Sequence, residues 1–346
     1  MKTCLLLKLF GIGLIACLSA SDGRAEPAFQ PVDVRLATVL PHGLAQEAVL
    51  KKLEQDWRKA SGETVILRQA PGGQKDGEAG IVKKLRSGNY QAALLSAVGL
   101  SEIEPDVSVL QEMPLVFRNW EEVDFVREKI RGRLEEKLLA MGFVVLFWAD
   151  SGWVNFFSVK EARTPEEFKR MKLFAWAGDN KQVEIMKSLG YRPVALETDN
   201  IHSGFATGMI QAAPLPPAFA LGVQVPTVAG HVLEVNWAPI VGAAIIRKDA
   251  WDKIPAGLQP KLQALCETAG ADIRAEGRRF HEDAVRTLRR GPRTSVHDPT
   301  AAERAQWESL ARELGPKVRG NMVPAAIYDQ VQGLLQEFRA THDVAK

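Results

Sequence analysis

Two tryptophans stand at the ends of predicted strands, where a side chain can face a ligand rather than the protein core. Trp148 closes an apolar run that the turn Asp150-Ser151-Gly152 follows, and Trp176 closes another before Ala177-Gly178-Asp179. Ligands bind outside the carboxyl ends of strands in open α/β sheets. Aromatic rings offer large apolar contact areas, so the spacing predicts binding of an apolar surface, with Asp150 as a candidate polar anchor. The alternatives are core packing for Trp148 and turn stabilisation for Asp150.

The sequence contains none of the common catalytic motifs. It has no G-x-S-x-G, no H-E-x-x-H and no GxGxxG, which are the patterns of hydrolases, metalloproteases and dinucleotide-binding proteins. Its six histidines are scattered and have no cysteine partners at metal-ligand spacing, so we expect neither a metal site nor a cofactor. We therefore expect a binding protein and not an enzyme.

Composition sets the class of protein. The chain has 346 residues, of which 46% are hydrophobic and 25% are charged; this length allows two domains of ordinary size. A net charge of +2 gives no electrostatic basis for binding nucleic acid.

The N-terminal segment predicts export. Residues 1–25 begin with lysines, continue with an apolar run from Leu9 to Leu18 and finish with small residues at Ala25. This is the pattern of a secretory signal peptide, so we expect a periplasmic protein. Cleavage after Ala25 is one expectation. The other is lipidation, because Leu14-Ile15-Ala16-Cys17 resembles a lipobox, in which Cys17 would carry a lipid anchor. After cleavage at Ala25 only Cys266 would remain, so we expect no internal disulfide.

Strands and helices alternate from residue 32 onward, which predicts an α/β fold with mostly parallel sheets. A capping box with proline, Thr164-Pro165-Glu166-Glu167, marks the start of a helix in a second β/α unit. A helix predicted from Leu258 to Arg290 would extend about 50 Å and could run along both units. The tail from Glu303 to Ala340 is also predicted to be helical, with a break at Gly315-Pro316.

Several segments, in order, resemble one family of transport receptors. They are RLATVLPHGLAQEAVLKKLEQDW, PGGQKDGEAGIVKKLRSGNYQAALLSAVGLSEIEPDVSVLQEMPLVFRNWEE, RTPEEFKRMKL, GFATGMIQAAPLPP and RKDAWDKIPAGLQPKLQ. The chain resembles the solute-binding receptors of tripartite ATP-independent periplasmic (TRAP) transporters, the DctP-like family. The resemblance implies a periplasmic-binding-protein-like clamshell with mixed, mostly parallel sheets flanked by helices. It also implies a small-molecule solute and the membrane permease subunits of an importer driven by an ion gradient as partners.

The predicted lobes follow from this resemblance. Residues 26–150 with about 240–257 would form lobe I, and residues 151–239 would form lobe II. Residues 258–346 would supply the long spanning helix and the C-terminal helices that pack on the lobes.

The chain departs from the family at the positions that grip a carboxylate. Where relatives place an arginine in the strand after the capping-box helix, this chain has Phe174, and at a second common arginine position it has Val154. The polar pattern VDGQENP is replaced by IQAAPLP, with Pro214-Leu215 in place of Glu-Asn. A buried carboxylate needs a paired cation, so we expect an apolar or amphipathic solute instead of a dicarboxylate. The predicted ligand-binding residues are Trp148, Asp150, Trp153, Phe156, Phe174, Trp176, Pro214, Pro217 and Trp237.

Other roles remain open at this point. Phe174 could fill the core of the second lobe. The whole protein could act as a lipid-anchored carrier or scaffold that docks a periplasmic partner, and an enzyme on a two-lobed scaffold is the weaker alternative. The KLFAWAGDN and PLPP variants look like a branch that has a TPR-containing periplasmic lipoprotein as a partner.

Overall fold

The structure, a computed structural model, describes residues 31–40, 45–71, 73–177 and 179–342. The predicted export segment and Cys17 lie outside the described residues. Within them, two sheets form the framework. The strands are β1 (Val32–Thr38), β2 (Val65–Gln69), β3 (Ala92–Ser96), β4 (Phe143–Trp153), β5 (Asn155–Ser158), β6 (Lys172–Trp176), β7 (Arg192–Leu196), β8 (Ala212–Leu215), β9 (His231–Leu233), β10 (Pro239–Arg247) and β11 (Ser295–His297).

Helices cover these sheets and account for most of the remaining described chain. They are α1 (Ala45–Ala60), α2 (Gly73–Arg86), α3 (Ala97–Ser101), α4 (Trp120–Ala140), α5 (Pro165–Lys169), α6 (Asn180–Ser188), α7 (Ile201–Ala206), α8 (Pro217–Gly222), α9 (Lys248–Trp251), α10 (Gln259–Arg290), α11 (Ala301–Val318) and α12 (Ala325–His342).

The first sheet has five strands in the order β2-β1-β3-β10-β4. β1 is parallel to β2 and β3, whereas β10 is antiparallel to β3 and β4. Alternate residues of its strands point to two separate cores, as the pleat requires. In one core, Val241, Ala243 and Ile245 of β10 pack with residues of α2, α4 and α12. In the other, Ala244 and Ile246 pack with residues of α1, α9 and α10, and this core contains the buried Cys266.

The second sheet has six strands in the order β11-β9-β5-β8-β6-β7. β5 is antiparallel to β8 and β9, while β6 is parallel to β7 and β8. Its two cores are rich in aromatic rings. Phe156 and Trp307 belong to one of these cores, and Phe157 and Phe174 belong to the other.

Two short chain segments and one helix link the two sheets. The chain leaves β4 at Trp153 for β5, and it returns through residues 234–238 to β10. These crossing segments pair, since Val154 N donates to Ala238 O at 2.9 Å and Trp237 N donates to Val154 O at 2.8 Å. α10 packs against α1 and β4 on one side and against α8 and β11 on the other. The predicted two-lobed α/β fold with a long spanning helix is therefore confirmed.

Two predicted boundaries are wrong. The turn expected at Asp150-Ser151-Gly152 does not end the strand there, because β4 continues to Trp153 in pairing with the start of β10. The break expected at Gly315-Pro316 is absent, since Arg319 N still donates to Gly315 O at 2.9 Å. The chain turns instead at Gly320, whose φ of 80° places it in the left-handed region that glycine adopts without strain.

Candidate functional site

Trp176 is an exposed aromatic side chain at the carboxyl end of a strand in the second sheet. It follows Phe174 in β6, and 37% of it is exposed, whereas Phe174 is fully buried. The two rings pack edge to face, with centroids 4.8 Å apart, and Phe219 of α8 lies 6.3 Å from Trp176 on another side. Phe174 and Phe219 thus support an indole that remains available for contact with a solute.

Val98 has the corresponding place in the first sheet. It lies in the first turn of α3, directly after β3, and is 40% exposed. The carboxylate of Glu78 holds this turn, because it accepts from Ser96 N at 2.6 Å, Ser96 Oγ at 2.6 Å and Gly99 N at 3.0 Å. Burial raises the pKa of Glu78 despite these hydrogen bonds. Each sheet therefore presents one exposed apolar side chain at the carboxyl end of a strand, where ligands bind in such folds.

Four of the predicted ligand-binding aromatics lie within the cores, namely Trp148, Trp153, Phe156 and Phe174. Trp148 is 3% exposed, and its Nε1 donates to Glu135 Oε1 on α4 at 3.0 Å. Phe156 is also 3% exposed and packs on Trp307 with centroids 5.1 Å apart. With Phe174, these side chains occupy the cores of the sheets in this structure, which favours the core alternative over direct contact with a solute.

Asp150 uses both of its carboxylate oxygens within the protein. Oδ1 accepts from Arg127 Nη1 at 2.7 Å, and Oδ2 accepts from Arg278 Nε at 2.9 Å and from its Nη2 at 2.5 Å. Asp124 also pairs with both arginines. Asp150 and Arg127 are almost completely buried, so this cluster joins α4, β4 and α10. The geometry makes Asp150 part of the packing of α4 and α10 on β4, and both of its oxygens are engaged within the protein instead of anchoring a solute.

Trp153 shares its core with Trp148, whereas Trp237, Pro214 and Pro217 lie in different surroundings. Trp153 is buried against Trp120, with ring centroids 5.0 Å apart. Trp237 is half-buried and packs edge-on against Phe156 at 5.6 Å. Pro214 is half-buried in β8, and Pro217 is buried at the start of α8. The structure thus does not gather all the predicted residues around one cavity, whereas Val98, which the sequence analysis missed, shares with Trp176 the placement expected of a contact residue.

A half-buried carboxylate, Glu112, gives the protein an unusual titrating group. Burial, and secondarily the negative charge of Asp179, raises the pKa of Glu112 from 4.5 to about 8, and the positive charge of Lys181 opposes this shift. Asp179 caps α6 by accepting from Gln182 N at 3.0 Å, and burial raises its pKa too. The two carboxyl groups disfavour each other's ionisation. Between its ordinary pKa of 4.5 and about pH 8, Glu112 therefore retains in the folded protein a proton that the unfolded chain would release.

Replacing Glu112 by glutamine should raise stability at alkaline pH. The raised pKa means that ionisation of Glu112 destabilises the folded state, fully above about pH 8 and not at all below its ordinary value near 4.5. At pH 9 we expect Glu112→Gln to gain roughly 2–4 kcal/mol in the free energy of unfolding, and near pH 5 about nothing. Urea unfolding between pH 5 and 9 measures this. Glu308→Gln, at an exposed position on α11, is the control and should change neither value. An equal gain at both ends of the range would contradict the shift.

Within the described residues, no group of three or more histidine, cysteine, aspartate or glutamate side chains is placed to hold a metal ion. Among the same residues, no helix is long and apolar enough to cross a membrane.

Comparison with known proteins identifies the relatives of this chain. The model of bacterial extracellular solute-binding proteins, family 7 (DctP), matches residues 36–319. The C4-dicarboxylate-binding periplasmic protein DctP of Rhodobacter capsulatus is 22% identical over 303 residues, which cover 86% of this chain and 90% of that protein.

Solved structures show the same fold. A TRAP periplasmic solute-binding protein of Ralstonia eutropha with bound (S)-2-acetolactate has a TM-score of 0.79 at 15% identity, covering 89% of this chain and 100% of that one. A TRAP periplasmic solute-binding protein of Pseudomonas putida with bound D-glucuronate has a TM-score of 0.75 at 20% identity, covering 89% and 97%. Together with the two-lobed fold, the match along most of the chain shows that this protein is an extracytoplasmic solute-binding receptor and not an enzyme, and that it belongs to family 7 of the bacterial extracellular solute-binding proteins.

Proposed function

We propose that this receptor serves a TRAP-type importer driven by an ion gradient, and that its solute is apolar or amphipathic. The observation that supports the solute class most is the pair Phe174 and Trp176. At the position where the resemblance places a carboxylate-gripping arginine, a phenylalanine is buried beneath an exposed indole. An indole face binds apolar surface, and it does not neutralise a carboxylate.

The residue at the second arginine position also favours an apolar solute. Val154 is buried in the crossing segment between β4 and β5, and its backbone is engaged by Ala238 and Trp237. A cation is therefore missing from both positions at which relatives are expected to hold a carboxylate. The relatives described above bind a C4-dicarboxylate, acetolactate and glucuronate, so a change of solute class is the specific content of this proposal.

Calorimetry with three small dicarboxylates and one monocarboxylic sugar acid tests this proposal directly. For succinate, malate, fumarate and sialic acid we expect no dissociation constant below about 1 mM, which corresponds to roughly 4 kcal/mol of binding free energy. The reason is that neither Val154 nor Phe174 can pair with a carboxylate. Micromolar binding of any of the four acids would show that another cation holds the carboxylate, and it would overturn the apolar-solute proposal while leaving the receptor assignment intact.

Replacing Trp176 by alanine should weaken solute binding far more than folding. An aromatic ring stacked on an apolar solute contributes about 1–3 kcal/mol, so the affinity for lipids or other solutes extracted from the purified protein should fall roughly ten- to a hundredfold. The melting temperature of the free protein should change little, since the side chain is 37% exposed.

The control for that experiment is Met209→Ala. Met209 is 50% exposed and precedes β8, at the edge of the sheet opposite to Trp176, because β6 and β8 are parallel. We expect the Met209→Ala variant to bind the solute with unchanged affinity. A Trp176→Ala protein that lost stability but kept full affinity in its folded fraction would place Trp176 in the core.

The partners and the lobes of the proposed receptor follow from the same family. We take residues 26–150 with 240–257 as lobe I and residues 151–239 as lobe II, with permease subunits docking on the closed form. A TPR-containing periplasmic lipoprotein is the further partner that the sequence variants predict, and co-purification from the native membrane would test it. The mass of the mature N-terminus distinguishes lipidation at Cys17 from cleavage after Ala25.

A further inference from the structure

The two C-terminal helices add a further link between the sheets. α11 packs on the second sheet, because Trp307 and Leu314 belong to one of the cores of that sheet. α12 packs on the first sheet, because Ile327 and Val331 belong to the core that β10 shares with α4. The turn at residues 319–324 joins these two helices. It therefore lies where the chain passes from the second sheet to the first.

Residues from both sides contact this turn, at two adjacent carbonyl oxygens. Lys181 of α6, which packs on the second sheet, donates from Nζ to Asn321 O at 2.9 Å. Ser108, which is buried on the side of the first sheet, donates from Oγ to Pro105 O at 2.7 Å and reaches Met322 O at 3.3 Å. The side chain of Met322 packs against a core of each sheet. The turn is thus held between the two halves of the molecule.

The turn is fixed more firmly to α12 than to α6. Arg319 forms a bidentate ion pair with Asp329 of α12, with Nε donating to Oδ1 at 2.7 Å and Nη2 donating to Oδ2 at 2.5 Å. Planar pairs of this kind restrict orientation as well as distance. The left-handed backbone of Gly320 then reverses the chain into α12. The turn should therefore move with the first sheet, and the bond from Lys181 to Asn321 O is the contact that relative movement of the sheets would break.

Lys181 lies one short turn away from the exposed indole of Trp176. Asp179 N donates to Trp176 O at 3.2 Å, and Asp179 Oδ1 accepts from Gln182 N at 3.0 Å, which caps α6. These two bonds connect the end of β6 to the first turn of α6. The carboxyl groups of Asp179 and Glu112 lie near the ammonium group, since the charge of Lys181 opposes the rise in the pKa of both. A displacement at the end of β6 is therefore transmitted to Lys181.

We propose that the turn at residues 319–324 is a clasp between the two lobes, and that Lys181 is its releasable contact. Movement of the lobes shifts α6 relative to α12, so Lys181 Nζ leaves Asn321 O when the lobes depart from their present arrangement. Lobe movements of this kind are absorbed by a few linker residues, and the clasp adds a restraint outside those linkers. The inference rests on the proposed function only in that a solute receptor moves its lobes; the class of solute does not enter it.

Amide hydrogen exchange of the purified protein without solute, read by mass spectrometry, tests the clasp. Lys181→Met removes the donor and keeps a long aliphatic side chain, so the amides of residues 319–324 should exchange about two- to tenfold faster. Because the clasp also restrains the lobes, the amides of the crossing segments, which include Val154 N and Trp237 N, should exchange faster too. The measurement is made at pH 6, where Glu112 holds its proton with or without the charge of Lys181.

Two further variants serve as controls. Lys187→Met makes the same chemical change at an exposed position of the same helix and should leave exchange unchanged. Lys181→Arg keeps a charged donor and should restore most of the protection. The inference is overturned if Lys181→Met leaves the turn unchanged, if only the turn and α6 respond while the crossing segments do not, or if Lys187→Met has the same effect. Tight binding of a dicarboxylate would change the proposed solute class and leave these results as they are.

Discussion

Replacing Asp150 by asparagine should lower the free energy of unfolding by about 3–5 kcal/mol, because it breaks a buried ion pair and leaves charged partners behind. Arg127, which is 3% exposed, would keep only Asp124, and Arg278 would lose two of its hydrogen bonds. Arg274, whose Nη1 donates to Trp148 O at 2.9 Å, adds a third guanidinium to the same region. Three guanidiniums would then face one carboxylate.

The comparison for this experiment is Asp56→Asn. Asp56 pairs with Lys52 at 2.6 Å on the surface of α1, where such pairs contribute about 0–1 kcal/mol. Urea unfolding of both variants at pH 7 measures the difference. If Asp150→Asn lowered the free energy of unfolding no more than Asp56→Asn does, the cluster would not hold α4, β4 and α10 together as its geometry indicates.

Replacing Gly277 by alanine should destabilise the protein more than any other single added methyl group in α10. A Cβ there would lie 2.0 Å from Asp150 O and 3.3 Å from Gln46 Nε2, so α10 would have to move away from β4. Overpacking of this kind costs typically about 1–3 kcal/mol or more. Part of the paired hydrogen bonding of Asp150 would be lost as well, so we expect a net loss of about 3 kcal/mol even after the gain in helix propensity.

Gly132→Ala provides a control of opposite sign. Gly132 lies in the interior of α4, and a Cβ there would meet nothing within 4 Å. Alanine in an unobstructed helix should therefore stabilise the protein by about 0.5–1 kcal/mol. Thermal and urea unfolding of the two variants compare the same chemical change in two helices. A stabilising Gly277→Ala would mean that the contact between α10 and β4 is looser than its geometry states.

The regular elements could be predicted from sequence because their periodicity is local. The apolar spacing from Leu258 to Arg290 predicted a helix that the structure places at Gln259–Arg290. The end of β4 could not be predicted, since its last residues are held by β10, nearly a hundred residues away in the chain. Gly315-Pro316 is a strong local breaker, yet the helix continues through it, so local propensity alone did not decide that boundary.

The site was harder to predict, because a tryptophan at a strand end can face either direction. Trp148 and Trp176 stand in similar sequence contexts, but Trp148 is bound by Glu135 of α4 and Trp176 is exposed. That difference depends on helices which pack from distant parts of the chain. Val98 was missed because it lies in a five-residue helix whose position depends on the half-buried Glu78, and an isolated valine after a strand gives no signal of its own.

The buried Cys266 has a practical consequence for an exported protein. Burial raises the pKa of its thiol to about 12, so the nucleophilic thiolate is scarce and the sulfur is shielded from oxidants and from disulfide exchange. If the export segment is removed after Ala25, pairs of cysteines introduced on the two lobes could carry fluorophores without background labelling. The rate at which the native thiol is alkylated would report how often the core between α1, β4 and α10 opens, because alkylation requires that opening.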